Sequence, residues 1–220
     1  LEEQRDLFDL YDETRPFGQT TAIACGTTTP AVVVYEHAQG NNPVFFDHSV
    51  VSKPVPLPSS KAARSLLVTH AYSGSGTGGN NPLNGNKKDQ MLAGPLCARL
   101  IAVVEGSDLE QTILLNLGSN LRAGLPSWEQ PEVTRPESVA MNGVADLYTR
   151  NTRAIRLTPS EDGAHCIGVA LYQGRALSEG SADPMIPRYL AQDKKFKDLR
   201  LSPERSAWRD ADVVLSTSPS

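Results

Sequence analysis

An apolar run, Leu66-Leu67-Val68-Thr69-His70-Ala71-Tyr72, empties into Ser73-Gly74-Ser75-Gly76-Thr77-Gly78-Gly79-Asn80-Asn81-Pro82, a stretch without one large apolar side chain to bury. No other part of the chain is so committed to bare backbone. Such a stretch cannot join a core through its side chains. It can adopt positive φ, approach a partner closely and present several main-chain N–H groups. It reads as a loop leaving a strand-like run, and it confines the apolar content on either side to short elements.

That content is still sufficient for a folded protein. The chain has 220 residues, 39% of them hydrophobic, which allows one large domain or two small ones. No apolar run approaches the ~20 residues that span a bilayer, and no basic-then-apolar leader opens the chain, so a cytoplasmic location with no membrane partner is expected. The missing initiator Met and the polar ends at Leu1 and Ser220 read as those of a fragment. Cys25, Cys97 and Cys166 are isolated and odd in number, which argues against a disulfide framework or a zinc knuckle; each reads as a small buried apolar residue. The formal charge of −4 gives no support to a free-standing nucleic-acid binder. Three local basic groups, Lys87-Lys88, then Arg150, Arg153 and Arg156, then Lys194-Lys195-Phe196-Lys197, read as solvated faces when each is taken alone.

Proline and glycine divide the rest. Residues 7–19, broken by Pro16 and Gly18, read as turns with aromatic anchors, and residues 31–35 as a short strand, although Pro30 also suits a first helical position. Gly40-Asn41-Asn42-Pro43 makes a turn before Val44-Phe45-Phe46-Asp47-His48. Alternating prolines keep residues 53–58 extended and out of any central strand. Ser59 or Ser60 could cap a helix over residues 61–70, in competition with the strand reading of 66–72. Residues 94–104 read as a buried strand. Ser107 as cap with Glu110 three residues on suits a helix start. Pro126, Pro131 and Pro136 punctuate a linker bearing Trp128, a place to subdivide the chain near residues 120–140. A helix follows over residues 144–149, and 154–157 with 166–172 form a hairpin across Ser160-Glu161-Asp162-Gly163. Beyond Gly180 the chain is polar, with Asp183-Pro184-Met185 and Trp208-Arg209-Asp210 as isolated anchors.

The chemistry the motifs could carry is mostly excluded. Residues 74–79 match Gly-x-Gly-x-x-Gly, but Asn80-Asn81-Pro82 prolongs the loop where a dinucleotide site requires a helix N-terminus. Gly85-Asn86-Lys87-Lys88 lacks the order of a phosphate-binding NTPase loop, and no Gly-x-Ser-x-Gly elbow offers a nucleophile. His48 and His70 read as satisfied structural histidines, and Glu105, Asp108 and Glu110 as partners of a helix dipole. Residue types alone therefore favour a loop-rich interaction domain over an enzyme, with no metal and no cofactor.

Taken in order, several islands resemble the CasA-type large subunit of the type I-E CRISPR surveillance complex Cascade. Arg15-Pro16-Phe17-Gly18-Gln19, the Gly40-Asn41-Asn42-Pro43 loop, the glycine stretch and Gly94-Pro95-Leu96 are similar to segments of that family. So are Glu105-Gly106-Ser107-Asp108-Leu109-Glu110, Pro126-Ser127-Trp128-Glu129, Gly143-Val144-Ala145-Asp146, Arg153-Ala154-Ile155-Arg156-Leu157, Asp183-Pro184-Met185 and Trp208-Arg209. The resemblance covers the whole chain and rests on collinear order.

It implies an α+β fold, irregular and loop-rich, with short strands and short helices. Residues 1–220 would be the central part of the family's main domain, without its C-terminal helical bundle or duplex-splitting wedge. It implies a non-catalytic subunit that recognises the protospacer-adjacent motif in duplex DNA beside a guide RNA, sits among other Cascade subunits and helps recruit the helicase-nuclease. Gly74, Gly76, Gly78 and Gly79 would then form a minor-groove loop, since main-chain atoms fit where bulky side chains clash. Lys194 and Lys195 fall near a family lysine that reads the motif. Gly40, Asn41, Asn42 and Phe45 fall on a loop that contacts guide RNA and neighbouring subunits. Lys87 and Lys88 are read as adjoining phosphate contacts. The rivals are a stand-alone protein-interaction domain and a nucleotide-binding enzyme.

Overall fold

The computed structural model describes residues 2–37, 55–117, 122–178, 183–200, 202, 204 and 206–215. The Gly40, Asn41, Asn42 and Phe45 loop, with Asp47 and His48, lies outside them. Within the described residues the fold is mixed α and β, built from short elements.

Its centre is an antiparallel hairpin, β5 (Arg153–Pro159) and β6 (His165–Gln173), in register from Arg153 opposite Gln173 to Leu157 opposite Val169. The turn between them forms as its residues suggest. Asp162 Oδ1 accepts from Ser160 Oγ at 2.6 Å and from the Ala164 N–H at 3.0 Å, and Gly163 takes φ of 68°. On the other edge of β6, β1 (Leu57–Pro58) pairs Leu57 with Cys166. Two residues at the sheet edge are all that this proline-rich segment contributes.

The run 66–72 is helix, not strand. It lies in α1 (Ser59–Tyr72), whose buried positions are Ala62, Ser65, Leu66, Thr69 and His70, a spacing of three and four that lays one face on the sheet. The β-branched pair Val68-Thr69 has local strand preference, but a helix buries Leu66 and Thr69 together and leaves Leu67 and Tyr72 exposed. Neither serine caps it. Pro58 holds the N-cap position, and Ser59 Oγ instead donates to the Gly163 carbonyl at 2.8 Å and hydrogen-bonds Tyr11 Oη at 2.9 Å, fastening the helix to the β5–β6 turn.

The core joins Leu66 and Ala62 of α1 to Ile155, Leu157, Cys166 and Val169 of the sheet, closed by Val33 and Val34. Val33 ends a 3₁₀ turn, Pro30–Val33, and Val34 is its C-cap; Pro30 stands at the start, so the helical reading of Pro30 holds and the strand reading fails. Upstream, Gln19 Nε2 donates to the Leu10 carbonyl at 2.6 Å while its Oε1 accepts the Leu157 N–H at 2.8 Å. Phe8 and Phe17 pack against Trp128 with ring centroids 5.3 Å and 6.1 Å from it, so the proline-punctuated stretch is seated on the N-terminal segment.

Residues 94–104 form no strand. Arg99 bridges to Arg200, and the following residues carry no regular structure, with Val103 and Val104 exposed. The helix after them, α2 (Leu109–Asn116), starts one residue later than the serine suggested: Asp108 Oδ1 accepts the Gln111 N–H at 2.8 Å, and Gln111 Oε1 reaches back to the Ser107 N–H at 2.6 Å. Asp108 is thereby held below its usual value, chiefly by the Gln111 N–H. β4 (Glu137–Val139) lies parallel to β7 (Arg175–Leu177), on either side in sequence of α3 (Val144–Thr149), which spans the residues expected of it. The polar tail hides a further antiparallel pair, β8 (Arg188–Leu190) with β9 (Phe196–Asp198), and a short α4 (Ala211–Leu215). Strands of three residues, Arg-Tyr-Leu and Phe-Lys-Asp, are too short to show a readable alternation.

Of the cysteines, Cys166 is buried, Cys97 is half-buried and Cys25 is exposed, so the apolar-core reading fails for Cys25. Among the described residues, no helix is long and apolar enough to cross a membrane.

Candidate nucleic-acid interface

The glycine stretch is not a loop. Its second half is a strand, β2 (Gly76–Asn81), which runs antiparallel to β3 (Lys87–Met91). Gly74, Gly76, Gly78 and Gly79 all lie outside the left-handed region; the positive φ belongs to the hairpin tip, at Gly85 (76°) and Asn86 (61°). Extended backbone pairs the N–H and C=O groups of one edge with β3, which a side-chain-poor segment can do as well as any other, and in this two-stranded sheet the other edge of β2 has no partner strand among the described residues.

The register places Gly76 opposite Met91 and Thr77 opposite Gln90, then shifts, so that Gly78 and Gly79 together stand against Asp89 before Asn80 meets Lys88 and Asn81 meets Lys87. A bulge of this kind turns the strand and lifts one residue out of the ladder. Gly78 faces inward, where an added Cβ would lie 3.2 Å from that of Asp89. Around Gly74, Gly76 and Gly79 a Cβ would meet nothing within 4 Å. The tip is closed by asparagines: Asn81 Oδ1 accepts the Leu83 N–H at 2.9 Å and Asn84 Oδ1 the Lys87 N–H at 3.0 Å.

Lys87 and Lys88 are exposed on β3, on the same hairpin as the glycines and across from Asn81 and Asn80. Lys194 and Lys195 are on a different hairpin, in the turn between β8 and β9, where Lys194 takes φ of 59° and the Lys195 N–H donates to Asp193 Oδ1 at 3.2 Å. Lys197 is paired with Asp193 at 3.0 Å, while Lys194 and Lys195 have no ion pair among the described residues. Arg99 ties β9 to the segment that follows β3, donating to Asp198 at 2.9 Å and to the Gly94 carbonyl at 3.2 Å.

Behind the glycine hairpin stands a buried polar cluster that the sequence reading missed. The spacing of Arg150, Arg153 and Arg156 suggests one solvated face, but Arg150 and Arg153 are 4% and 1% exposed, and only Arg156 is partly open. Arg153 Nη2 donates to the carbonyls of Gly74 at 2.9 Å and Leu92 at 2.6 Å. Gln173 Oε1 accepts the Leu92 N–H at 2.6 Å, and Asp89 accepts the Gln173 N–H at 2.7 Å and the Asn81 amide at 3.0 Å. Burial lowers the pKa of the Arg153 guanidinium, with Tyr35 and Asp89 opposing. The one signal in the chain was the strand itself, since Arg153 at its first position points to the face that Ile155 and Leu157 bury.

His70 is a structural histidine, as its isolation suggested. Arg153 N–H donates to Nδ1 at 3.3 Å and Nε2 faces the Gly18 carbonyl at 2.8 Å, an arrangement that both nitrogens satisfy only when the ring is neutral. Burial holds its pKa down to about 4 against the Gly18 carbonyl, and the Arg153 charge adds to the depression. Among the described residues no three of His, Cys, Asp or Glu converge as a metal site requires.

The glycine-bearing hairpin and the lysine-tipped hairpin sit on a scaffold with known counterparts. The family model described as CRISPR-associated protein Cse1 matches residues 1–220. A CRISPR-associated protein CasA/Cse1 from Thermus thermophilus is 30% identical over 219 residues, 96% of this chain and 42% of the relative. The Cse1 crystal structure from Acidimicrobium ferrooxidans aligns at a TM-score of 0.72 with 27% identity, covering 99% of this chain and 44% of its own. A structure described as a CRISPR RNA-guided surveillance complex aligns at 0.78 with 24% identity over 99% of this chain and 47% of its own. The chain thus spans less than half the length of these relatives. It belongs to the CRISPR-associated protein Cse1 family.

Proposed function

We propose that this chain is the motif-reading part of a non-catalytic large subunit in an RNA-guided surveillance complex, with the β2–β3 hairpin as its probe of the duplex minor groove. The observation that carries the reading is the empty space at Gly74, Gly76 and Gly79. The fold demands glycine there neither by φ nor by crowding, and glycine within a strand is normally unfavourable. Bare backbone on an exposed strand is useful to something outside the chain. A minor groove about 6 Å wide admits a glycine strand and offers acceptors and the guanine amino group to its N–H and C=O groups.

Lys87 and Lys88 supply phosphate contacts beside the groove, and Lys194 and Lys195, without an ion pair among the described residues, supply a second basic tip. The net charge of −4 suits a protein held on its target by a larger ribonucleoprotein, whose own contacts need add only discrimination. Guide RNA, the other Cascade subunits and target DNA are the partners of this reading. Family membership extends it to recruitment of the helicase-nuclease and to the cytoplasm.

The test replaces Gly79 by Phe in the full-length subunit, assembled with guide RNA and the other subunits, and measures gel shifts on duplexes with and without the adjacent motif. Affinity for the motif-bearing duplex should fall about tenfold or more, the scale of losing one base-pair discrimination. Wild-type affinity for that duplex would end the proposal.

A further inference from the structure

From the way both arms of the hairpin meet one side chain, we infer that Arg153 is the positioning residue of the β2–β3 hairpin, setting the angle and stiffness with which its glycine edge is presented. The inference rests on the minor-groove reading of that hairpin and adds to it the part that aims it.

The chain leaves the body at Gly74 and returns at Leu92. Both carbonyls accept from the same nitrogen, Arg153 Nη2, at 2.9 Å and 2.6 Å. Nη1 is held in turn by the Thr152 carbonyl at 3.2 Å and Gln173 Oε1 at 3.3 Å, so the guanidinium plane is fixed from the β5–β6 side. A planar fork with fixed donors transmits that orientation; a flexible ammonium would not. Beside the guanidinium, the Gly94 N–H donates to the Ser73 carbonyl at 2.7 Å and the Leu92 N–H to Gln173, but Arg153 is the side chain that bonds both arms. Leu92 is half exposed, and a cavity of about 330 Å3 lies between Leu92, Ala93 and Pro95 and the buried Arg153 and Gln173, where apolar packing could have been.

The rest of the chain of bonds runs outward along the hairpin. Gln173 links Leu92 to Asp89 through its backbone N–H, and Asp89 holds Asn81, which closes the tip by accepting from Leu83. At the inner end, Arg153 N–H bonds His70 and Thr152 Oγ1 bonds the His70 carbonyl at 2.6 Å, which ties the root to α1. Among the described residues no carboxylate pairs with this buried cation, which makes it costly to keep, and hydrogen-bonded carbonyls from two separate segments offset that cost. Removing the guanidinium therefore releases two segments at once.

The experiment uses the full-length subunit in its assembled complex, as Arg153→Lys and Arg153→Met. Hydrogen exchange should quicken about tenfold over residues 74–92, the scale of one lost buried hydrogen bond to a charged group, while peptides from α1 and from residues 165–172 keep wild-type rates. The ratio of affinities for duplexes with and without the motif should fall about tenfold as well, with motif-free binding within about twofold of wild type. Unchanged exchange over 74–92 in both variants overturns the inference, and so does full discrimination by a loosened hairpin. Failure of both variants to fold or assemble overturns it too, because Arg153 would then support the core at large. Gly79→Phe in the wild-type background separates the two readings: if it binds normally the groove reading fails, whereas a defective Gly79→Phe beside a fully discriminating Arg153→Lys defeats the positioning role alone.

Discussion

Two glycines of one chain show how a residue's surroundings decide what its missing side chain is for. Gly143 precedes α3 with φ of 107°, and a Cβ there would lie 2.4 Å from the Arg122 carbonyl oxygen. Gly143→Ala should cost about 1–3 kcal/mol from backbone strain alone. Gly79→Ala, in open space, should leave the unfolding free energy within about 0.5 kcal/mol of wild type. Chemical denaturation of both variants checks the contrast, and a Gly79→Ala protein as damaged as Gly143→Ala would remove the reason for assigning Gly79 outward. A charged pair poses the same question in reverse. Burial pushes the Asp146 carboxyl up, yet Arg150, the Asn142 N–H and the Gln130 amide together bring it below its usual value. Arg150 also donates to the carbonyls of Val139 at 2.6 Å and Ala140 and Ala176 at 3.1 Å, so it holds β4, β7 and α3 together. Asp146→Ala would strand that buried cation and should cost about 3–5 kcal/mol, read from the same denaturation curves.

Elements were legible where a local pattern and the tertiary demand agreed. The β5–β6 hairpin and α3 were such cases: alternating apolar residues around a Ser-Glu-Asp-Gly turn, and a short run after a left-handed glycine, leave few other solutions. The glycine hairpin was not legible, because strand signals come from side chains and β2 has almost none. Its pairing is a main-chain property, stabilised by Asp89 and Asn81 from below. This matters for its proposed work. The phosphate contacts proposed for Lys87 and Lys88 would be independent of sequence, so replacing either by Ala should weaken binding alike on all duplexes and lower the slope of log affinity against log salt by about one. Binding isotherms of the assembled complex at four or five salt concentrations measure that slope. A selective loss on motif-bearing DNA would instead place the lysine at a base edge.

At the scale of the whole molecule, stability should carry the signature of His70, which joins the N-terminal segment, α1 and β5 through Gly18 and Arg153. In the unfolded chain the imidazole takes a proton near 6.5, while in the fold burial holds it down to about 4. Between those values the unfolded chain binds a proton that the fold refuses, so stability falls as pH drops from 6.5 to about 4, by about 3 kcal/mol, and no further from this group below that. Denaturant midpoints across that range should flatten in His70→Gln; an equally steep fall in the variant would assign the dependence elsewhere. The sequence by itself determined short elements, the central hairpin, a structural rather than catalytic His70 and a stretch of backbone with nothing to bury, since each follows from residue types over a few positions. Only the tertiary structure decided that this stretch pairs as a strand, that residues 66–72 coil into a helix, and that Arg153 lies buried against Gly74 and Leu92. Those outcomes depend on partners 61 to 92 residues away, and long-range hydrogen bonds and shared burial leave no periodicity in the segments they join.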